Sequence, residues 1–177
     1  MFQLETKRLI IRSWQPGDRA AFTAMARDPE VMRYVHGGKP YTEEEIDAFL
    51  ARQAKQLADF GVCMGPMVEK SSGRIVGLAG TQPLGRTGDF EIGWWLARDA
   101  WGRGFATEAG GAAMQHVFEA LDKPRAVAII DVGNAASVAV AKRLGMEYDR
   151  RYTGAELTHR LSDIVVDLFY RNRTPSS

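Results

Sequence analysis

Apolar residues recur along the chain in two rhythms, and the points where one gives way to the other delimit its elements. Leu9-Ile10-Ile11 sits in a run over 4–13 that reads as a first strand, after which Pro16-Gly17-Asp18 turns into a helix over 19–27 with Asp18 as its N-cap. Asp28-Pro29 stops that helix, a helical turn follows over 31–35, and His36-Gly37-Gly38-Lys39-Pro40 is a glycine-bearing loop. Thr42 followed by Glu45 is a capping box. Ile46, Phe49, Leu50 and Leu57 stripe one face of the helix it opens, and Gly61 closes it.

Beyond Gly61 the spacing shortens to alternation. Runs over 62–69, 74–82 and 90–96, separated by Lys70-Ser71-Ser72-Gly73 and Gly85-Arg86-Thr87-Gly88, predict a meander of three antiparallel strands, with Pro66 placing an edge or a bulge in the first. A helix over 104–121 turns Ala106, Ala109, Ala113 and Val117 to a sheet; Gly110 and Gly111, costly inside a helix, imply backbone lying against something tight. A buried strand over 125–131 follows, then a helix over 135–144 opened by Gly133-Asn134 and ended by Gly145. Strands over 146–152 and 162–170 and a frayed tail over 174–177 complete the chain. The class is mixed α/β, in the α+β sense: a mostly antiparallel sheet of about seven strands with helices on both faces, formed by residues 1–177 as one domain.

Composition narrows the partners. With 23 basic and 22 acidic residues the formal net charge is +1, so no global field recommends nucleic acid or an anionic membrane. The opening lacks the profile of a secretory signal and no apolar run approaches the length of a membrane span, which predicts a cytoplasmic protein. The single cysteine, Cys63, rules out an internal disulfide and reads as packing rather than as a nucleophile. His36, His116 and His159 fall into no ligand spacing, so no metal is expected.

Candidate chemistry centres on the stretch from Phe90 to Thr107. An alternating run ending Trp94-Trp95-Leu96 leads through Ala97 to Trp101-Gly102-Arg103-Gly104-Phe105-Ala106-Thr107, which reads as strand, glycine loop and helix start. Glycines allow the tight turn, and the first helical amides have no intrahelical partner, so the loop suits a phosphate. The missing Gly-Lys-Ser/Thr ending argues against a nucleoside triphosphate.

Those residues, together with Asn134-Ala135-Ala136-Ser137, Arg143-Leu144-Gly145-Met146 and the opening Thr6-Lys7-Arg8-Leu9-Ile10-Ile11-Arg12, resemble the GNAT superfamily of acyl-CoA-dependent N-acyltransferases. Within it they are most similar to the branch of bacterial ribosomal-protein N-terminal alanine acetyltransferases. The resemblance implies a sheet splayed in its middle and acetyl-CoA as co-substrate. The diphosphate then lies on the amides of Gly102, Arg103, Gly104, Phe105, Ala106 and Thr107, and the pantetheine arm beside Trp95, Leu96 and Ala97 with Asn134 bonding it, the thioester lying where that strand splays from the one at Val127 to Ile130, within reach of Ser137. A homodimer is compatible with the family.

Two departures from the family pattern bear on chemistry. Asp99 stands where Gln or Arg is usual three residues before the first glycine, leaving Arg98 or Arg103 to compensate. Ala141 stands where many members carry a tyrosine that protonates the leaving thiolate, so Ser137 or water must do so. Ser137 either assists the thiolate or bonds backbone in the first helical turn, and Asn134 either caps the helix or meets pantetheine. Glu91 is the candidate general base, against a structural ion pair; Asp89 is weaker. Deprotonating a lysine-like amine at pH 7 costs about 4.6 kcal/mol against about 1.4 for an α-amino group, which favours a peptide N-terminus or a modest small amine as acceptor. The alternative is a noncatalytic acyl-CoA-binding module. The loops over 36–41 and 152–160 would set acceptor identity.

Overall fold

The computed structural model describes residues 2–85, 87–157 and 164–174. Its strands are β1 (Gln3–Glu5), β2 (Leu9–Arg12), β3 (Met64–Glu69), β4 (Ile75–Pro83), β5 (Phe90–Leu96), β6 (Arg125–Asp131), β7 (Glu147–Thr153) and β8 (Val165–Asn172). The helices are α1 (Arg19–Ala26), α2 (Pro29–Met32), α3 (Glu43–Phe60), α4 (Phe105–Glu119), α5 (Ala135–Arg143) and α6 (Gly154–Leu157). One sheet runs in the order β1-β2-β3-β4-β5-β6-β8-β7, antiparallel except at β5 and β6.

The single first strand expected over 4–13 is a hairpin, which is why the sheet has eight strands among the described residues. Thr6 makes the difference: its N–H donates to the Leu9 carbonyl at 3.0 Å and its Oγ1 accepts from the Leu9 N–H at 3.0 Å, closing a tight turn. Pro66 lies in an interior strand rather than at an edge. The β2–β3 ladder stops beside it at Ile11 and Met67, and the register shifts at Met67/Val68, so the bulge half of that expectation holds. Asp18 does not cap α1 with its side chain. Its carboxylate accepts from the Gln15 N–H at 2.7 Å and from two nitrogens of Arg12 at 2.6 and 2.9 Å.

Strand alternation sends alternate side chains into two layers. Phe90, Ile92, Ala126, Ala128 and Ile130 join Ala109, Ala113 and Val117 of α4 and Val140 of α5 on one face. Met64 and Leu78 meet Phe22 of α1 and Ile46 and Phe49 of α3 on the other. Trp94 packs with the first layer and Trp95 with the second, as adjacent strand residues must. The capping box forms as expected, Thr42 Oγ1 accepting from the Glu45 N–H and Glu45 Oε2 from the Thr42 N–H, and Gly61 ends α3 in the left-handed region. His159, the start of the strand expected from 162 and the tail over 175–177 lie outside the described residues.

Candidate functional site

The site grows from an interruption of the sheet. Strands β5 and β6 run parallel but pair only at Phe90↔Ala126 and Glu91↔Val127. Beyond those two rungs they separate, although β5 is bonded to β4 along its whole length and β6 to β8 along its own. The separation opens the middle of the sheet, and side chains from both strands line the space between its two halves.

On the α4 side the opening is a cavity of about 880 Å³ lined by Trp94, Trp95, Leu96, Gly102, Gly104 and the first residues of α4. Gly102 and Gly104 have φ of 72° and 80°, so the glycines answer a left-handed turn that swings the chain into α4. A Cβ at Gly102 would meet nothing within 4 Å, so the turn, rather than crowding, is what asks for glycine there. Phe105, Ala106 and Thr107 line the cavity with the helix end whose first N–H groups have no intrahelical acceptor. The positive end of a 15-residue helix therefore faces the space.

Asn134 and Ser137 line the same cavity from the start of α5. Asn134 Oδ1 accepts from the Ser137 N–H at 3.1 Å, so the N-cap half of the Asn134 reading is observed and the Ser137 hydroxyl is not what holds the turn. Two of the expected residues do not bring their side chains to this cavity. Ala97 packs beside Met25, Val31 and Met32, and the Arg103 guanidinium is bonded to Glu69, so neither side chain lines the cavity. Asp99 is paired with Arg74 at 2.6 Å, and Arg98 is also absent from the walls. Among the described residues, the basic ones that line the cavity are Arg33, after α2, and Arg143, at the end of α5. Arg143 stood in the sequence only as part of the Arg143-Leu144-Gly145-Met146 motif and Arg33 carried no signal, because only the tertiary fold brings the two elements to one space.

The second cavity, about 370 Å³, lies on the α3 side of the opening and shares Tyr34, Val35, Trp94, Trp95, Asn134 and Ser137 with the first. Tyr41, Phe49 and Trp95 give it an aromatic wall with ring centroids 5.8 to 6.3 Å apart. His36 sits at its mouth with Nε2 2.9 Å from Glu45 Oε1 and its ring edge-on to Tyr41 at 4.3 Å. Glu91 projects into this cavity from β5, 8% exposed, with Oε2 accepting from Gln82 Nε2 at 2.8 Å. Asp131, the last residue of β6, lines it too, and burial pushes its carboxyl above the usual aspartate range. Sequence reasoning missed Asp131; its only signal was a carboxylate ending an otherwise apolar strand.

Cys63 is 1% exposed and burial pushes its thiol up to about 12, so it packs and does not act as a nucleophile. No group of three or more His, Cys, Asp or Glu side chains among the described residues is placed to hold a metal ion. No described helix is long and apolar enough to cross a membrane.

Residues 8–147 match the family described as Acetyltransferase (GNAT) domain. The uncharacterized protein YkkB of Bacillus subtilis (strain 168) is 30% identical over 151 residues, 84% of this chain and 87% of its own. An acetyltransferase from Agrobacterium tumefaciens str. C58 superposes with a TM-score of 0.82 at 26% identity, covering 98% of this chain and 95% of its own. The ribosomal L7/L12 alpha-N-protein acetyltransferase RimL, solved in complex with coenzyme A, shares the fold with a TM-score of 0.76 at 19% identity, over 97% of this chain and 98% of its own.

Proposed function

The chain belongs to the GNAT acetyltransferase family, and from that premise we propose that, acting as one domain, it carries an acetyl group from acetyl-CoA to a primary amine by direct attack on the thioester. The observation that carries this reading is the parting of β5 from β6 beside a glycine turn, which joins an anion-suited helix end to an aromatic, acid-lined cavity. The first cavity takes the donor: α4 amides from Phe105 to Thr107 meet the diphosphate, and the free edge of β5 from Ile92 to Leu96 receives the amides of the pantetheine arm. Arg33 and Arg143 supply the cationic help that Asp99 denies.

The second cavity takes the acceptor. Glu91 accepts the proton an ammonium group must lose before its nitrogen can attack, and the buried hydrogen bond from Gln82 orients that carboxylate. As the new C–N bond forms and the C–S bond breaks, Ser137 passes a proton to the departing sulfur and recovers one from the acylated nitrogen. Its place on the wall common to both cavities supports that role. With Ala141 fully buried, its position offers no acid of its own. A peptide N-terminus or a small amine of similarly low pKa suits a site with one oriented base.

Thiol release from acetyl-CoA across a panel of N-terminal peptides and small amines tests the proposal: acceptor-dependent turnover is expected, and saturable CoA binding without turnover refutes it in favour of a binding module. Within that assay Glu91→Gln is expected to lose turnover at neutral pH and to recover as pH rises toward the acceptor's own pKa. A deficit that stays constant with pH removes Glu91 as the base.

A further inference from the structure

The first turn of α4 contains a contradiction for an anion site. Glu108 stands there and lines the donor cavity, a carboxylate where a diphosphate is expected. Arg103, the nearest loop cation in sequence, has its guanidinium on Glu69 and is not available to Glu108. The β1–β2 turn resolves the conflict from behind. Thr6 Oγ1 donates to Glu108 Oε1 at 2.6 Å, the Arg8 main-chain N–H to the same oxygen at 2.8 Å, and Arg8 Nε to Oε2 at 2.7 Å. The same guanidinium reaches the loop itself, with Nη1 donating to the Arg103 carbonyl at 2.8 Å. It lies 4.6 Å from the centroid of the Phe105 ring, and a Cβ built on Gly104 would stand 3.4 Å from its Nη2. Arg8 is not itself among the cavity walls.

We propose that Arg8 is a positioning residue for the acyl donor. It neutralises Glu108 and ties the carbonyl of Arg103, so the left-handed turn at Gly104 presents its amides to a diphosphate without a repelling charge beside them. Carboxylate and guanidinium in charge-assisted contact form the stronger class of hydrogen bond, and one cation here serves two acceptors on either side of the turn. The proposal rests on the acyl-CoA reading given above and deepens it: the amino-terminal hairpin, 95 residues from Arg103 in sequence, is the back plate of the phosphate loop.

Titration calorimetry with CoA, and ligand-detected NMR with pantetheine, which lacks the diphosphate, separate positioning from mere stability. Arg8→Met, which removes the side-chain hydrogen bonds to both Glu108 and the Arg103 carbonyl, is expected to weaken CoA binding about tenfold while leaving pantetheine affinity within about twofold, since the lost bonds act on the diphosphate only through the loop. Adding Glu108→Gln is expected to restore most of that loss, because it removes the exposed carboxylate. Arg8→Lys, which keeps the charge and is the milder change should Arg8→Met fail to fold, is expected to weaken CoA binding about threefold. Equal CoA affinity in the Arg8 variants, parallel loss for CoA and pantetheine, or a double variant weaker than Arg8→Met would each overturn the proposal. Absence of any CoA binding by the unaltered protein would instead overturn the acyltransferase reading on which it stands.

Discussion

Gly110 and Gly111 are neighbours on α4, and the structure assigns them opposite responses to the same substitution. A methyl group at Gly110 would stand 2.9 Å from Leu144 Cδ1 and 3.0 and 3.2 Å from Cε3 and Cζ3 of Trp94, whereas at Gly111 the nearest atom is Leu144 Cδ2 at 3.7 Å. Alanine gains about 1 kcal/mol over glycine in a helix interior at either position. At Gly111 nothing offsets that gain. At Gly110 the leucine methyl can swing away, but the half-buried Trp94 ring must give by a few tenths of an ångström toward the cavities it lines, and such overpacking costs about 1 to 3 kcal/mol. Gly110→Ala should therefore be destabilised by about 1 kcal/mol and Gly111→Ala stabilised by up to about 1. For a chain of this length the two melting temperatures should differ by about 4 to 8 °C, read by circular dichroism and checked by urea unfolding. Because Trp94 lines both cavities, Gly110→Ala should also weaken CoA binding while Gly111→Ala leaves it unchanged. Equal stability of the two variants, or a more stable Gly110→Ala, would refute the packing argument.

The other consequences can be checked as directly. Ser137→Ala is expected to lower turnover about tenfold with CoA affinity within about twofold, since Asn134 caps the main-chain N–H that alanine retains; unchanged turnover leaves the thiolate to water. Asp18, where burial alone would raise the carboxyl, is held below the usual aspartate range by Arg12 and the Gln15 N–H, so its contribution is present above about pH 4 and is lost as pH falls through the lowered value. Asp18→Ala should cost about 3 kcal/mol at pH 7 by urea unfolding, the penalty shrinking on acidification. Asp131 has the opposite sign: its raised carboxyl makes the charged form unfavourable in the fold, so Asp131→Asn should unfold at higher denaturant than the unaltered protein at pH 8, and the gain should vanish below about pH 3.

What the sequence made legible was whatever a local rule decides. Thr42 with Glu45, Gly61, Asn134 and Gly145 each announce a helix boundary within four residues of chain, and each lies where expected. Strand β6 was legible to its last residue because its apolar run is flanked by Pro124 and Gly133. The glycine turn at Gly102 to Gly104 was legible for the same reason. Relations across the fold were not. Pro66 suggests an edge until β2 is known to pair with the rest of its strand, and Thr6 reads as strand until it is seen to close a turn. Arg33, after α2, comes from about a hundred residues before Asp131 and Arg143, which end the consecutive elements β6 and α5, and only the fold puts the three around one opening. Arg98 or Arg103 was expected to compensate for Asp99, yet neither side chain is on the cavity wall, and the Arg103 guanidinium is held by Glu69, on a strand 34 residues earlier.

The two rungs at Phe90 and Glu91 hold the halves of the sheet together like the crotch of a forked branch. Beyond them each limb keeps one bonded side and offers one bare side to whatever enters. On the acyl-CoA reading proposed above, a donor whose arm carries amide groups would act as an added ribbon, splicing the limbs through its own peptide-like links. Occupancy then becomes part of architecture, and resistance to unfolding should climb with the logarithm of donor concentration.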